Sequence, residues 1–218
     1  MYFRDRHDAG RQLAALLTAY GGRKDVFVLA LPRGGVPVGF DVAQALNVPL
    51  DAFVVRKLGV PGHEELAMGA LASSGVRVLN RDTIDQLEIP PSVIEHVTVI
   101  EHGELQRQER LYRADRPPPD VKDHTVILVD DGLATGSTMR AAAAALRRQQ
   151  PTRIVVAVPT AAPQTADELR REVDEVVCVI TPQPFYAVGL WYHDFSETSD
   201  EEVRNLLAAA AGHQTQAA

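Results

Sequence analysis

The stretch VILVDDGLATGST, Val126 to Thr138, decides the reading of this chain. Four apolar residues, Val126 to Val129, have the length and composition of a buried strand. Two carboxylates, Asp130 and Asp131, follow, then a turn of mostly small residues that runs straight into the Ala-rich segment Ser137 to Arg148, which predicts a helix. In a parallel α/β sheet the ligand crevice lies beyond the carboxyl ends of the strands, so Asp130 and Asp131 should face a ligand. Gly132, Ala134 and Gly136 let a backbone approach a phosphate closely. Amides at the following helix start, with the hydroxyls of Thr135, Ser137 and Thr138, can donate to its oxygens. Acidic residues and glycines also punctuate ordinary strand-to-helix turns, but a contiguous pattern of thirteen residues goes beyond punctuation.

Outward from this segment, further apolar runs at Val26 to Leu31, Leu50 to Arg56, Ile154 to Val158 and Val176 to Ile180 alternate with helical patterns. The intervening helices are expected at Arg11 to Tyr20, Val36 to Leu46 and Gln164 to Arg171. Five strands with helices between them predict an α/β fold built on a doubly wound, mainly parallel five-stranded sheet. Lys57 to Leu79, rich in Gly, Pro and Ser, reads as a long mobile loop or a hairpin and, at that length, as functional. Ser92 to Arg113 is a charged helical insertion, and Pro117-Pro118-Pro119 a stiff spacer. One domain over residues 1–207 is expected, with a frayed or disordered tail at 208–218.

Composition narrows the function classes. The 218 residues carry 22 basic and 29 acidic side chains, a formal net charge of −7, with the positives scattered, so a nucleic-acid partner is not expected. The single Cys178, in an apolar run, rules out an intrachain disulfide framework and reads as a buried, inert thiol. The seven histidines show no HExxH-like pairing. No apolar run reaches the roughly 18 residues of a membrane span, and the charged N-terminus lacks a signal core, so a soluble cytoplasmic protein is expected.

The 126–138 stretch resembles the signature of type I phosphoribosyltransferases, with LLATGGT-type loops of adenine phosphoribosyltransferases as the nearest wording. A Walker A reading fails for want of Gly-Lys-Ser/Thr, and a response-regulator reading lacks the early acidic pair and the separate phosphoacceptor. The resemblance implies that Asp130 and Asp131 hold the ribose hydroxyls of phosphoribosyl pyrophosphate with Mg²⁺ nearby. It also implies that Ala134, Thr135, Gly136, Ser137 and Thr138 bind the 5′-phosphate. Leu31-Pro32-Arg33-Gly34-Gly35 resembles the pyrophosphate loop: Arg33 offers a bidentate cation, and Gly34 and Gly35 bring amides close to a polyanion. Arg56-Lys57-Leu58-Gly59-Val60-Pro61-Gly62 is similar to the RK-x-G-x-PG base of the flexible loop, which makes Arg56 and Lys57 pyrophosphate ligands and 57–79 a lid. Within that lid Glu64 and Glu65 are carboxylates able to orient or deprotonate an acceptor, and Glu65 is taken as the catalytic candidate; a solvated surface acid is the plainer alternative.

Pro182 to Phe195 resembles the hood of 6-oxopurine phosphoribosyltransferases, with one residue more between Gly189 and Asp194. Tyr186, Val188 and Trp191 are the base-binding candidates, although aromatic residues are equally at home in a core, and Asp194 is a candidate second metal contact. Two features depart from the 6-oxopurine enzymes: Ala134 stands where they carry an acid, and Val158 to Pro163 lacks their lysine. The expected function is therefore Mg²⁺-dependent phosphoribosyl transfer to a small nitrogenous base, purine-like, with release of pyrophosphate. The alternatives are a non-catalytic sensor of phosphoribosyl pyrophosphate or nucleotide, or a hydrolase of the donor. Family members are often dimers, which makes a homodimer through the Ser92 to Arg113 helix the assembly to test.

Overall fold

The computed structural model describes residues 2–113 and 116–216, without the side chains of Glu64, Glu65, Ser74 and residues 213–216. After α1 (Arg6–Ala14) the chain enters β1 (Val26–Ala30), α2 (Gly35–Leu46) and β2 (Leu50–Ala52). It then forms β3 (Val55–Val60), β4 (His63–Ala72) and β5 (Val76–Leu79), followed by α3 (Arg81–Gln86) and α4 (Pro91–Arg113). The second half alternates as β6 (Thr125–Val129), α5 (Ser137–Arg147), β7 (Arg153–Thr160), α6 (Pro163–Leu169) and β8 (Glu175–Ile180), and ends in α7 (Asp200–Gln216).

The central sheet has the order β2-β1-β6-β7-β8 with every pairing parallel. Alternation along its strands divides the core into two layers. Val26, Val28 and Ala30 of β1, Ile127 and Val129 of β6, and Val155 and Ala157 of β7 pack on one face with α1, α2 and α7. Leu29, Val126, Leu128, Ile154, Val156 and Val158 pack on the other, with Met139, Ala142 and Leu146 of α5 and Ala166 and Leu169 of α6. Because Ala30 is level with Val129 and Val129 with Ala157, the carboxyl ends of the three central strands form one edge. The doubly wound sheet read from the sequence is present.

The second expected strand is cut short. It was to run from Leu50 to Arg56, but β2 ends at Ala52, and at Val54 the chain changes sheets. The Val54 N–H donates to the Ser73 hydroxyl and the Ser73 N–H to the Val54 carbonyl, which commits the following residues to an antiparallel sheet of order β3-β4-β5. Of the two readings of 57–79, the hairpin is the one that forms. Arg56 and Lys57 therefore lie on β3 instead of at the carboxyl edge of the central sheet, and Arg56 Nε donates to Glu101 Oε2 of α4 at 2.7 Å.

The charged helix α4 packs against β3, β4 and α7. Its Arg113 is nearly inaccessible, at 4%, and its guanidinium reaches Asp51 of β2 (2.9 Å), the Ala52 carbonyl (2.6 Å) and Glu109 (3.2 Å). The last helix, α7, runs from Asp200 to Gln216, and Val203, Leu206, Leu207 and Ala210 form a helical stripe that packs on the core. Among the described residues no helix is long and apolar enough to cross a membrane.

Candidate active site

The site is assembled on the carboxyl edge of β1 and β6. The turn after β6 carries Asp130 and Asp131, and the loop beyond it closes on Gly136, whose φ of 70° is the left-handed conformation that glycine adopts without strain. Ser137 then begins α5. A concave pocket of about 180 Å³ is lined by Asp130, by every residue from Gly132 to Met139, and by Val188 of the hood. Ala134, Thr135, Ser137 and Thr138 are exposed there. The loop is held from behind by the Thr165 hydroxyl, which donates to the Ala134 carbonyl at 2.5 Å. A cradle of amides and hydroxyls at a helix start suits an anion.

The carboxylates are crowded. Asp130 lies well above the ordinary carboxylate range, first because burial strips its water and second because Asp131 repels its charge; the hydrogen bond from the Asp131 N–H (2.9 Å) and the Arg6 charge offset only part of this. Asp131 is raised by burial, against the pull of Arg6, whose Nε donates to Asp131 Oδ2 at 2.9 Å. The Asp131 carbonyl accepts from the Tyr192 hydroxyl at 2.6 Å, and burial, followed by the Asp131 charge, pushes that phenol up. Two oxygen-donor carboxylates held short of full compensation fit a hard divalent cation such as Mg²⁺.

The loop after β1 lies directly on this pair. The Pro32–Arg33 peptide is cis. A Cβ added to Gly34 would clash with Asp131 Oδ2 and lie 3.1 Å from Arg6 Nε, while one on Gly35 would lie 2.8 Å from the Val129 carbonyl oxygen and 2.9 Å from Asp130 Cα. Gly34 is thus demanded by contact with the Asp131 carboxylate, and Gly35 by the backbone of Val129 and Asp130. Gly34→Ala is expected to move Asp131 and to weaken binding of a ribose phosphate about tenfold or more, measured by calorimetric titration; unchanged affinity would show that the loop can retreat at no cost. The Arg33 side chain forms an ion pair with Glu197, beyond the hood.

The hood is pinned by the N-terminus. Phe3 bridges Tyr192 in parallel register, its N–H donating to the Trp191 carbonyl (2.8 Å) and its carbonyl accepting from the His193 N–H (2.8 Å). Of the base-binding candidates, Tyr186 is 79% exposed and Val188 lines the pocket, its Cγ1 2.5 Å from where a Gly132 Cβ would stand. Trp191 stacks with Tyr2 (5.8 Å between centroids) and Phe185 (6.4 Å), and its indole N–H is buried with no hydrogen-bond partner among the described residues.

Asp194 does not join Asp130 and Asp131. Among the described residues no three His, Cys, Asp or Glu side chains cluster to hold a metal, and Asp194 instead accepts from the Ser196 N–H at 2.9 Å, which holds its carboxyl below the usual range. The side chain of Glu65 lies outside the described residues. Cys178 is half-buried and its thiol is pushed up to about 11 by burial, in keeping with an inert side chain. Sequence reading missed Arg6, Tyr192 and Glu197; Arg6 sits in a run of mixed charges with no motif, 125 residues from its carboxylate partner.

A parallel sheet with an aspartate pair, an anion cradle and a glycine loop on its carboxyl edge, all beneath a small hood, defines the type I phosphoribosyltransferase fold. The chain belongs to the phosphoribosyl transferase domain family, whose pattern it matches over residues 4–193. It is 45% identical over 208 residues to proteins of two Mycobacterium tuberculosis strains, CDC 1551 / Oshkosh and H37Rv, that carry the provisional name phosphoribosyl transferase. The match takes in 95% of this chain but 47% of theirs, so the chain spans about half the length of these relatives. The crystal structure of TT1426 from Thermus thermophilus is 41% identical and superposes at a TM-score of 0.87, covering 96% of this chain and 99% of that one. A Neisseria gonorrhoeae protein solved with bound ppGpp is 14% identical, covering 96% of this chain and 98% of its own at a TM-score of 0.50, a likeness of fold alone.

Proposed function

We propose that this protein transfers the 5-phosphoribosyl group of phosphoribosyl pyrophosphate to a ring nitrogen of a small, purine-like base and releases pyrophosphate. The observation that carries the reading is the contact of three parts on one sheet edge: the anion cradle at 132–139, the carboxylate pair Asp130–Asp131, and the glycine loop pressed against that pair. A 5′-phosphate in the cradle would take hydrogen bonds from Thr135, Ser137, Thr138 and the amides at the start of α5. Asp130 and Asp131 would accept from the ribose hydroxyls and favour positive character at the ribosyl ring as the bond to pyrophosphate lengthens. Arg33 and the amides of Gly34 and Gly35 would hold the leaving group, with Arg33 exchanging Glu197 for a pyrophosphate oxygen. Arg56 and Lys57, at the base of the β3–β4 hairpin, would join only after Arg56 leaves Glu101.

Mg²⁺ would be held by Asp130 and Asp131, and when bound it would neutralise charge growing on the leaving group. The acceptor would lie under the hood against Val188 and the exposed ring of Tyr186. Binding energy from the phosphate fixes C1 in line with the incoming nitrogen.

The test is pyrophosphate release from phosphoribosyl pyrophosphate and Mg²⁺, without acceptor and with adenine, guanine, hypoxanthine, xanthine, uracil or orotate. Release that depends on one base supports the transferase and names the acceptor. Release that no base alters would replace it with a hydrolase, and tight donor binding with no release under any condition would replace it with a sensor.

A further inference from the structure

Arg6 lies at the first turn of α1, outside every motif of the chain, yet it touches three parts of the site at once. Its Nε donates to Asp131 Oδ2 at 2.9 Å, in a pair whose side chains are only 12% and 16% exposed. Its Nη1 donates to the Ser196 carbonyl at 2.6 Å, and its guanidinium carbon stands 4.0 Å over the ring of Phe195. The loop after β1 closes the arrangement from a third side, because a Cβ on Gly34 would meet both Asp131 Oδ2 and Arg6 Nε. Phe195 in turn packs on Tyr192 (4.9 Å) and against Gly189, where a Cβ would come within 2.8 Å of its ring. One guanidinium therefore bridges the carboxylate after β6, the glycine loop after β1 and the far end of the hood.

We propose that Arg6 is a positioning residue that fixes the direction of the Asp131 carboxylate and locks the hood and the glycine loop onto it. The inference rests on the reading of Asp130 and Asp131 as the ribose-binding pair. Two adjacent carboxylates in a poorly hydrated site repel each other, and left alone the more mobile one turns away. Arg6 takes up one oxygen of Asp131 and leaves its other oxygen, together with Asp130, to face the sugar. A guanidinium is suited to this task and an ammonium is not: its planar face lies on Phe195 while two of its nitrogens donate in different directions, whereas lysine is a single point charge. Charge alone accounts for the bond to Asp131, but only the fork and the plane account for all three contacts.

The experiment compares two probes by calorimetric titration of the full chain in the presence of Mg²⁺. Ribose 5-phosphate needs both the cradle and the carboxylates, and inorganic phosphate needs the cradle alone. Arg6→Gln is expected to weaken ribose 5-phosphate about tenfold or more while phosphate stays within about threefold, with a lowered melting temperature because the buried Asp131 loses its cation. Arg6→Lys is expected to recover part of the loss. The neighbouring Arg4 side chain is exposed and paired with Asp8, away from the site, and Arg4→Gln is expected to match the wild type. Unchanged ribose 5-phosphate affinity in Arg6→Gln would overturn the proposal, as would equal loss of both probes, the mark of a purely structural residue. Should Arg6→Gln fail to fold, Arg6→Lys decides: a ratio of the two affinities equal to that of the wild type sinks the idea. Asp131→Asn separates the two layers of argument. If it leaves ribose 5-phosphate binding intact, the ribose-pair reading falls and the role of Arg6 falls with it; if it weakens binding and Arg6→Gln does not, only the role of Arg6 is lost.

Discussion

Asp130→Asn is expected to abolish useful donor binding and at the same time to make the ligand-free protein more stable. The substitution keeps the oxygen that accepts from the Asp131 N–H and removes a charge that burial and the Asp131 carboxylate both disfavour. A folded-state pKa raised above the ordinary 3.8 means that the stability contribution of Asp130 is fully present below that value and lost as pH rises through the raised one. At neutral pH the wild type therefore carries the penalty and the Asn variant does not. The gain should be on the order of 1 kcal/mol, about 2–4 °C in melting temperature in Mg²⁺-free buffer, and should shrink toward zero in acid. Donor affinity in Mg²⁺ should fall about 100-fold if Asp130 holds the ribose and the cation as proposed. A variant that melts below the wild type at neutral pH, or that binds donor normally, would contradict the picture of a site kept short of positive charge.

Arg113 carries the second large effect. Its guanidinium is surrounded by Asp51, Glu109 and the Ala52 carbonyl, with Asp51 itself, in the middle of β2, only 8% exposed. Arg113→Met leaves the Asp51 carboxylate buried without its cation, and the expected cost is about 3–5 kcal/mol, read from the urea midpoint. Adding Asp51→Leu should return most of it, because two apolar side chains of similar volume need no desolvation of charge. If the single variant loses under about 1 kcal/mol, water reaches the pair and α4 is held by its apolar contacts alone.

Much of this architecture is legible in the chain. Val126 to Val129, Ile154 to Val158 and Val176 to Ile180 became β6, β7 and β8 within a residue or two, and Ser92 to Arg113 became α4. Each is a run whose period or composition states its own structure. The strand-to-helix turn at 132–138 was equally legible, because its glycine at positive φ, its small residues and its helix start are consecutive along the chain. The break after Ala52 was not. Leu50 to Arg56 has the composition of one strand, and only the exchange between Val54 and Ser73, 19 residues apart, shows that its second half belongs to another sheet. That exchange removed Arg56 and Lys57 from the edge where a continuous strand would have placed them.

By itself, then, the sequence determined most of the central strands and helices, the parallel sheet they form and the turn from β6 into α5, since all of these follow from residues a few positions apart. The tertiary structure alone decided the surroundings of that loop: Arg6 on Asp131, Tyr192 on the Asp131 carbonyl, Glu197 on Arg33 and the Ser196 N–H on Asp194. The physical reason is that hydrogen-bond partners and buried charge depend on which surfaces the sheet order brings together, and partners 61 and 125 residues apart leave no periodic trace in the chain that connects them.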